Sequence, residues 1–511
     1  MAATSRLRAP RRRGLPPARR DGRPVRVRRR RARRLDHLLA GRLGPVRVPE
    51  VADARPVAGG KSGPSAGRGV PDGGAVPPRS SLSLETRPHG LGDLRRPRAV
   101  ISPARRAAFD TVLRVFEDDA YADRAFPGVA RGLDERDRAL AQRLAYGTIQ
   151  RVRTLDHGIE ALGRRPVAKL DPPVRTALRL GAYQLGFSEV AVHAAVNESV
   201  ELVRAAGLER AVSFTNAVLR RLTLGLRELL DSLPEATPPE AALRHSYPDW
   251  VAELWWRELG AEEALALMRA QNEPLETVVR RNEQKPGDVT GTPDPEIPGA
   301  LHVERVDEHA LRGGLIWPQS RGSQLAGLCV GARNGERVLD LCAAPGGKAT
   351  QLAGEVTAVE RHPGRARELE ENCRRLGATN VRVLNADALA LPPELRDFDR
   401  VLVDAPCSGL GVLASRPDLR WRGKPLPELQ RDLLAVAAER VRPRGTILYS
   451  VCTISVEENE AVVDASGLEV DPLREEWKQF AHPRRPEFLL TLPHRHRTSG
   501  FFIARLRRSS T

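Results

Sequence analysis

The hydrophobic period of this chain changes near residue 335, and that change limits the architectures open to it. Between residues 103 and 232 apolar side chains recur at intervals of three and four, as in AAFDTVLRVF, DRALAQRLAYGTI, VRTALRLGAYQL and AAVNESVELV. This spacing lines one face of a helix, so residues 101–232 read as an all-α domain of successive amphipathic helices. Asp171-Pro172-Pro173 reads as a helix start with Asp171 as N-cap. From about 335 short apolar runs take over: ERVLDLC, EVTAVE, VRVLNAD, FDRVLVDAP and GTILYSVC. Helical segments such as GRARELEENCRRLG and LPELQRDLLAVAAERV alternate with them. Strand–helix alternation predicts a doubly wound, Rossmann-like α/β sheet of parallel strands over 321–511. The mixed, Pro/Gly-rich stretch 233–320 reads as a connector plus a small, loosely patterned α/β subdomain.

The formal net charge of +17 suggests a nucleic-acid binder, but its distribution weakens that inference. Residues 1–100 hold 25 Arg/Lys against 7 Asp/Glu, and the rest of the chain is close to neutral. Any RNA-binding face of the folded part is therefore a local patch. Residues 1–100 are rich in Arg, Pro and Gly without apolar periodicity, and are expected to be a disordered tail. A basic RNA tether, a solvated tail without a role and an overextended gene start remain open for it. The five cysteines show no CxxC and no disulfide-like spacing, which suits a reducing cytosol. No apolar run reaches membrane-spanning length, and the basic N-terminus lacks the apolar segment of a secretory signal. A cytoplasmic location without membrane contact is expected.

In an open parallel sheet, ligands sit outside the carboxyl ends of the strands. Asp340, Glu360, Asp387, Asp404 and Cys452 all fall at or just after predicted strand ends. Cys342-Ala343-Ala344-Pro345-Gly346-Gly347-Lys348 follows the first strand. Its small residues admit a ligand close to the backbone, and the helix N-terminus expected after it offers free N–H groups. Glu360, at the end of the next strand, suits ribose hydroxyls. Asp387, at the end of the third, suits an adenine amino group. A solvated acid and a helix N-cap are the plainer readings of these two residues. There is neither a GxGxxG fingerprint nor a P-loop, so a nucleoside without phosphates fits best, which points to S-adenosyl-L-methionine. No metal is expected.

Two cysteines follow neighbouring strands, in Asp404-Ala405-Pro406-Cys407-Ser408 and Tyr449-Ser450-Val451-Cys452-Thr453. Parallel strands would bring both sulfurs to one sheet edge. C5 of a pyrimidine is a poor nucleophile until a thiolate adds at C6 and makes it enamine-like. That chemistry needs a reactive thiolate, a donor near N3 and O2, and help with elimination. Cys407 and Cys452 supply thiols, Asp404 can hydrogen-bond the N3 edge if it carries or shares a proton, and Lys348, one of six lysines in the chain, stabilises charge or lowers a thiol pKa. Cys329, Cys342 and Cys373 read as small buried hydrophobes.

LDLCAAPGGK, DAPCSGLGVL…RPDLRW and YSVCT closely resemble motifs of the Sun/Fmu-type RNA cytosine-5 methyltransferases, and ALRLGAYQL, AAVNESVEL and FTNAVLRR resemble a NusB-type RNA-binding domain. The resemblance covers roughly 103–506. It implies Cys452 as the nucleophile and Cys407 as the group that aids product release. It also implies 342–348, Glu360, Asp387 and Asp404 as the S-adenosylmethionine site, and SGFFIARL, 499–506, as a closing hairpin strand. RNA, either 16S rRNA or a pre-30S particle, is the implied partner of a monomeric enzyme. Departures are IWPQSRGSQLAG before the catalytic domain, a shortened 275–315, Ser499 before GFF, and Ala414-Ser415 before RPDLRW. The same chemistry on tRNA or another rRNA site, and a non-catalytic NusB-like assembly factor, are the alternatives.

Overall fold

The computed structural model describes residues 101–274 and 277–508, so the basic stretch 1–100 lies outside the described residues. The first region is helical: α1 (Pro103–Glu117), α2 (Ala122–Val129), α3 (Glu135–Gln150), α4 (Val152–Gly163), α5 (Pro172–Phe187), α6 (Val192–Ala205) and α7 (Glu209–Asp231). Helix α5 is the centre. Its Ala177, Leu178, Leu180, Ala182 and Leu185 are all buried, and the polar Arg179 and Gln184 buried with them are paired with Asp156 and Arg105. A Cβ at Gly181 would stand 2.5 Å from Leu219 Cδ2, so glycine permits the close approach of α7. Asp171 occupies the N-cap position of α5, but its carboxylate makes no capping bond. It pairs instead with Arg210 at 3.4 Å, across to α7.

Three more helices follow: α8 (Pro238–His245), α9 (Asp249–Leu259) and α10 (Ala261–Ala270). Thr237 and Glu240 form a capping box at the start of α8. Next comes a small antiparallel sheet of β1 (Val278–Arg281), β2 (Thr292–Pro293), β3 (Ala300–His302) and, after α11 (Glu308–Gly313), β4 (Ile316–Pro318). Its order is β2-β3-β1-β4. Strands of two to four residues are too short to show a period, so sequence reading sees a mixed connector here. The Pro/Gly-rich run is the turn region of this sheet.

After α12 (Arg321–Cys329) the catalytic region runs β5 (Arg337–Asp340), β6 (Glu355–Val359), α13 (Pro363–Leu376), β7 (Val381–Leu384) and β8 (Phe398–Asp404). It continues with α14 (Leu419–Arg422), α15 (Pro427–Arg440), β9 (Val441–Val451), α16 (Glu460–Asp464), β10 (Glu469–Val470), β11 (Leu489–Thr491), α17 (Pro493–His496) and β12 (Phe501–Arg507). Strands β7-β6-β5-β8-β9 are parallel in that order. Strand β12 lies antiparallel along β9 and also pairs β10 and β11. The doubly wound α/β expectation therefore holds, with an antiparallel extension. Chain direction across the sheet switches between β5 and β8, which places the ligand crevice between their carboxyl ends. The run Val401-Leu402-Val403 in β8 is buried, as a strand covered on both faces requires.

Candidate active site

Adjacent parallel strands align Asp404 with Ser450. The chain then continues three residues to Cys407 on one side and two to Cys452 on the other. The two sulfurs lie 3.4 Å apart. Their hydrogen bond splits them electrostatically. The bond from Cys407 holds the Cys452 thiol below its ordinary value, with the charges of Lys348 and Arg416 adding, against burial and the Asp404 carboxylate. Cys407 moves the other way, raised by that same bond, by burial, and by the charges of Cys452 and Glu458. Cys452 is thus the more readily ionised thiol of the pair.

Lys348 Nζ donates to Asp404 Oδ2 at 2.7 Å and lies 5.0 Å from the centre of the Phe501 ring. Ser450 Oγ donates to Asp404 Oδ1 at 2.8 Å. Both carboxylate oxygens are therefore oriented, and each retains a lone pair. Beneath them Asp340 is buried and accepts from Cys342 N at 3.2 Å. Burial, then the neighbouring Asp404 carboxylate, push Asp340 up to about 7.

The loop 342–348 is held from outside. Arg365 Nη2 donates to Ala344 O at 2.6 Å and Asn372 Nδ2 to Pro345 O at 3.0 Å, both from α13. From the small sheet, Arg280 Nη2 donates to Thr350 Oγ1 at 2.8 Å. The loop leads into a single 3-10 turn, Ala349–Gln351, and not into the helix N-terminus expected from the sequence. Glu360 accepts from His362 N at 2.7 Å and sits 3.5 Å from Arg365 Nη1. Asp387 accepts from Leu389 N at 3.0 Å and so caps the turn 388–390. Its carboxylate remains partly exposed, and among the described residues no hydrogen bond joins it to the thiol pair. Cys342 is pushed well up by burial and by Asp340, Asp404 and Glu360, and burial raises Cys329 and Cys373, so these thiols are inert.

Glu458 is a residue that sequence reading missed. It is fully buried, yet no cation pairs with it among the described residues. Its oxygens accept from Ser408 N and Leu426 N, each at 3.0 Å, from Gln430 Nε2 at 2.9 Å, and from the Ser408 hydroxyl. Ser408 Oγ lies 2.7 Å from Thr453 Oγ1. One carboxylate thereby ties the Cys407 loop to the Cys452 loop. In the sequence it stands within VEENE, which resembles any solvated helix start.

The donor set suits a nucleoside that carries a positive sulfur and an amino acid. Carboxylates stand at successive strand ends, the loop is built of small residues, and the crevice lies at the switch point. Such a sheet, edged by carboxylates and a small-residue loop, defines an S-adenosylmethionine-dependent methyltransferase.

Comparison with known proteins agrees. Residues 328–507 match the family described as 16S rRNA methyltransferase RsmB/F, and residues 102–223 match the NusB family. A Mycobacterium tuberculosis protein, Rv1407, named as a methyltransferase without a stated substrate, is 37% identical over 82% of this chain and 99% of its own. The ribosomal RNA small subunit methyltransferase B of Vibrio cholerae is 30% identical over 79% of this chain and 97% of its own. The crystal structure of PH0851 superposes with a TM-score of 0.68 at 24% identity, covering 80% of this chain and 100% of that one, and shares the fold. The chain belongs to the 16S rRNA methyltransferase RsmB/F family, with a NusB-family region preceding its methyltransferase domain. Among the described residues no helix is long and apolar enough to cross a membrane.

Proposed function

We propose that this enzyme methylates C5 of a cytosine in RNA, with 16S rRNA as the substrate, through a covalent bond between Cys452 and C6 of the base. The observation that carries the reading is the thiol pair: two sulfurs 3.4 Å apart whose pKa values are driven in opposite directions. Only a thiolate attacks C6, and Cys452 is the member held low. Its attack pushes the C5–C6 electron pair toward N3 and O2, where Asp404, oriented by Lys348 and Ser450, holds the N3 edge by sharing a proton with it, so that the developing charge meets a donor.

S-Adenosyl-L-methionine supplies the methyl group that the enamine-like C5 accepts. Residues 342–348, Glu360, Asp387 and Asp404 would hold it, with Glu360 toward the ribose and Asp387 toward the adenine edge.

Adduct formation also resets Cys407. Once Cys452 is a thioether, the hydrogen bond and the charge that raised Cys407 are gone. Its thiol then ionises more readily and releases its proton to solvent; the thiolate takes the proton from C5, as the C6–sulfur bond breaks and Cys452 leaves as thiolate. A two-thiol cycle follows, in which each cysteine is ionised when it is needed.

The test is transfer of label from S-adenosylmethionine to unmodified 16S rRNA by the full chain, with mapping of the product. 5-Methylcytosine at a defined cytosine is expected. Label on another atom, or none on any RNA, overturns the reading.

A further inference from the structure

The segment RPDLRWR, 416–422, follows the Cys407 loop, and apart from the charge of Arg416 on Cys452 the chemistry above does not use it. It lies on the helical regions. Arg416 Nη2 meets Asp123 Oδ1 of α2 at 3.2 Å, and Arg422 Nη2 meets Asp119 Oδ1 at 2.8 Å. Trp421 Nε1 donates to Ile149 O at 2.7 Å. Arg420 is completely buried, and no carboxylate pairs with it among the described residues. Its Nη1 donates to Gln150 O at 3.1 Å, Ser246 O at 3.0 Å and Asn272 Oδ1 at 2.9 Å. Its Nη2 donates to Tyr247 Oη at 3.1 Å, and the guanidinium lies 3.8 Å from the centre of that ring.

Gln150 ends α3, Ser246 caps α8, and Gln271 and Asn272 follow α10. Three helix C-termini therefore converge on one guanidinium. The carbonyls of Gln150 and Ser246 at two of these ends, and the Asn272 side-chain oxygen after the third, replace a carboxylate as its counterpart, helped by the partial negative charge of the helix ends. Burial lowers Arg420 only to about 10, so it stays charged at neutral pH.

A second fastening lies nearer the thiol. The Gln271 side chain donates to Leu410 O at 2.9 Å and accepts from Leu413 N at 3.0 Å. Gly411 N in turn donates to Cys452 O at 3.0 Å. The loop that carries Cys407 is thus pinned at 410–413 by the end of α10 and at 420–421 by the ends of α3 and α8.

We propose that Arg420 is a positioning residue for Cys407: it straps the thiol's loop to the ends of α3, α8 and α10, so the helical regions set the geometry of product release. The inference rests on the reading of Cys407 as the release group. A strap of this kind acts chiefly on release: Cys452 directly follows β9, which the sheet holds, and meets the strapped loop through its carbonyl and its sulfur, whereas Cys407 lies between β8 and the strapped residues 410–413.

The full chain and its Arg420→Gln, Arg420→Lys and Cys407→Ala variants would be compared for turnover on 16S rRNA and for RNA adduct retained on a denaturing gel. Arg420→Gln should lose about a hundredfold in kcat, the size of a roughly 1 Å misplacement. Its KM for RNA should be unchanged and adduct should accumulate. Arg420→Lys, a point charge in place of a fork, should fall between. Normal turnover by Arg420→Gln overturns the proposal. So does slow turnover without adduct, when Cys407→Ala retains adduct on the same gel. If Cys407→Ala retains none, the release role of Cys407 fails, and the strap is decided by whether Arg420→Gln lowers kcat at constant KM. If Arg420→Gln does not fold, Gln271→Ala, which removes both loop bonds, is read by the same outcomes.

Discussion

At the residue scale the thiol pair makes the sharpest demands. Cys452→Ala should abolish methyl transfer, because no other thiol among the described residues is held low. Activity retained in that variant would remove Cys452 from the mechanism. Cys407→Ala should still attack RNA but fail to let go, giving a protein–RNA species that survives denaturing electrophoresis. An unshifted band would remove its release role.

Asp340 offers a test that needs no RNA. Its carboxyl is raised from 3.8 to about 7, so the native state holds a proton that the unfolded chain releases. Stability from this group is full below about pH 4 and is lost as pH rises toward 7, with a slope of at most ~1.4 kcal/mol per unit. Asp340→Asn should flatten that part of the stability–pH curve in urea titrations. Identical slopes for the two proteins would refute the assignment.

At the element scale much was legible beforehand, and the reasons differ by element. The parallel strands announce themselves because burial on both faces demands unbroken apolar runs such as Val401-Leu402-Val403. The thiols and carboxylates were found because they follow those runs. The small sheet β1–β4 is blurred in the sequence because strands of two to four residues have no period. The 3-10 turn after Lys348 reads as a helix because a small-residue loop precedes either. Glu458 and Arg420 were invisible for another cause: both are buried charges satisfied by distant backbone, and nothing local marks them. Glu458→Ala should strand Ser408 N and Leu426 N without acceptors, whereas Gln430 Nε2 keeps Pro406 O at 2.9 Å. At roughly 1–3 kcal/mol for each buried orphan, the variant should be destabilised by about 2 kcal/mol or more, read as a lower urea midpoint. A midpoint equal to wild type would show that the tie between the two loops is dispensable.

At the scale of the whole molecule, the charge of the chain and the chemistry of the chain are separate. The described residues fall within one compact unit, 92–511, which holds every proposed site residue. A protein of residues 101–511 should therefore methylate 16S rRNA with an unchanged site preference. Loss of methylation with S-adenosylmethionine binding intact would assign the basic stretch a part in RNA capture. The helical regions are not an appendage in this scheme. The ends of α3, α8 and α10 reach the loop of one thiol, so deleting them should impair chemistry as well as affinity.

Strand β12 bears on how such an enzyme is made. It runs along β9 from Phe502↔Val451 to Arg507↔Thr446, and Gly500 N donates to Gly411 O at 2.7 Å, next to the thiol loops. During synthesis both cysteines leave the ribosome well before this strand does. Until residues 500–507 emerge, the strand that carries Cys452 has an open flank, and the pair of loops lacks one of its ties. The surroundings of the reactive thiol are therefore completed only once residues 500–507 have emerged, after the helices of 103–270 have had time to fold.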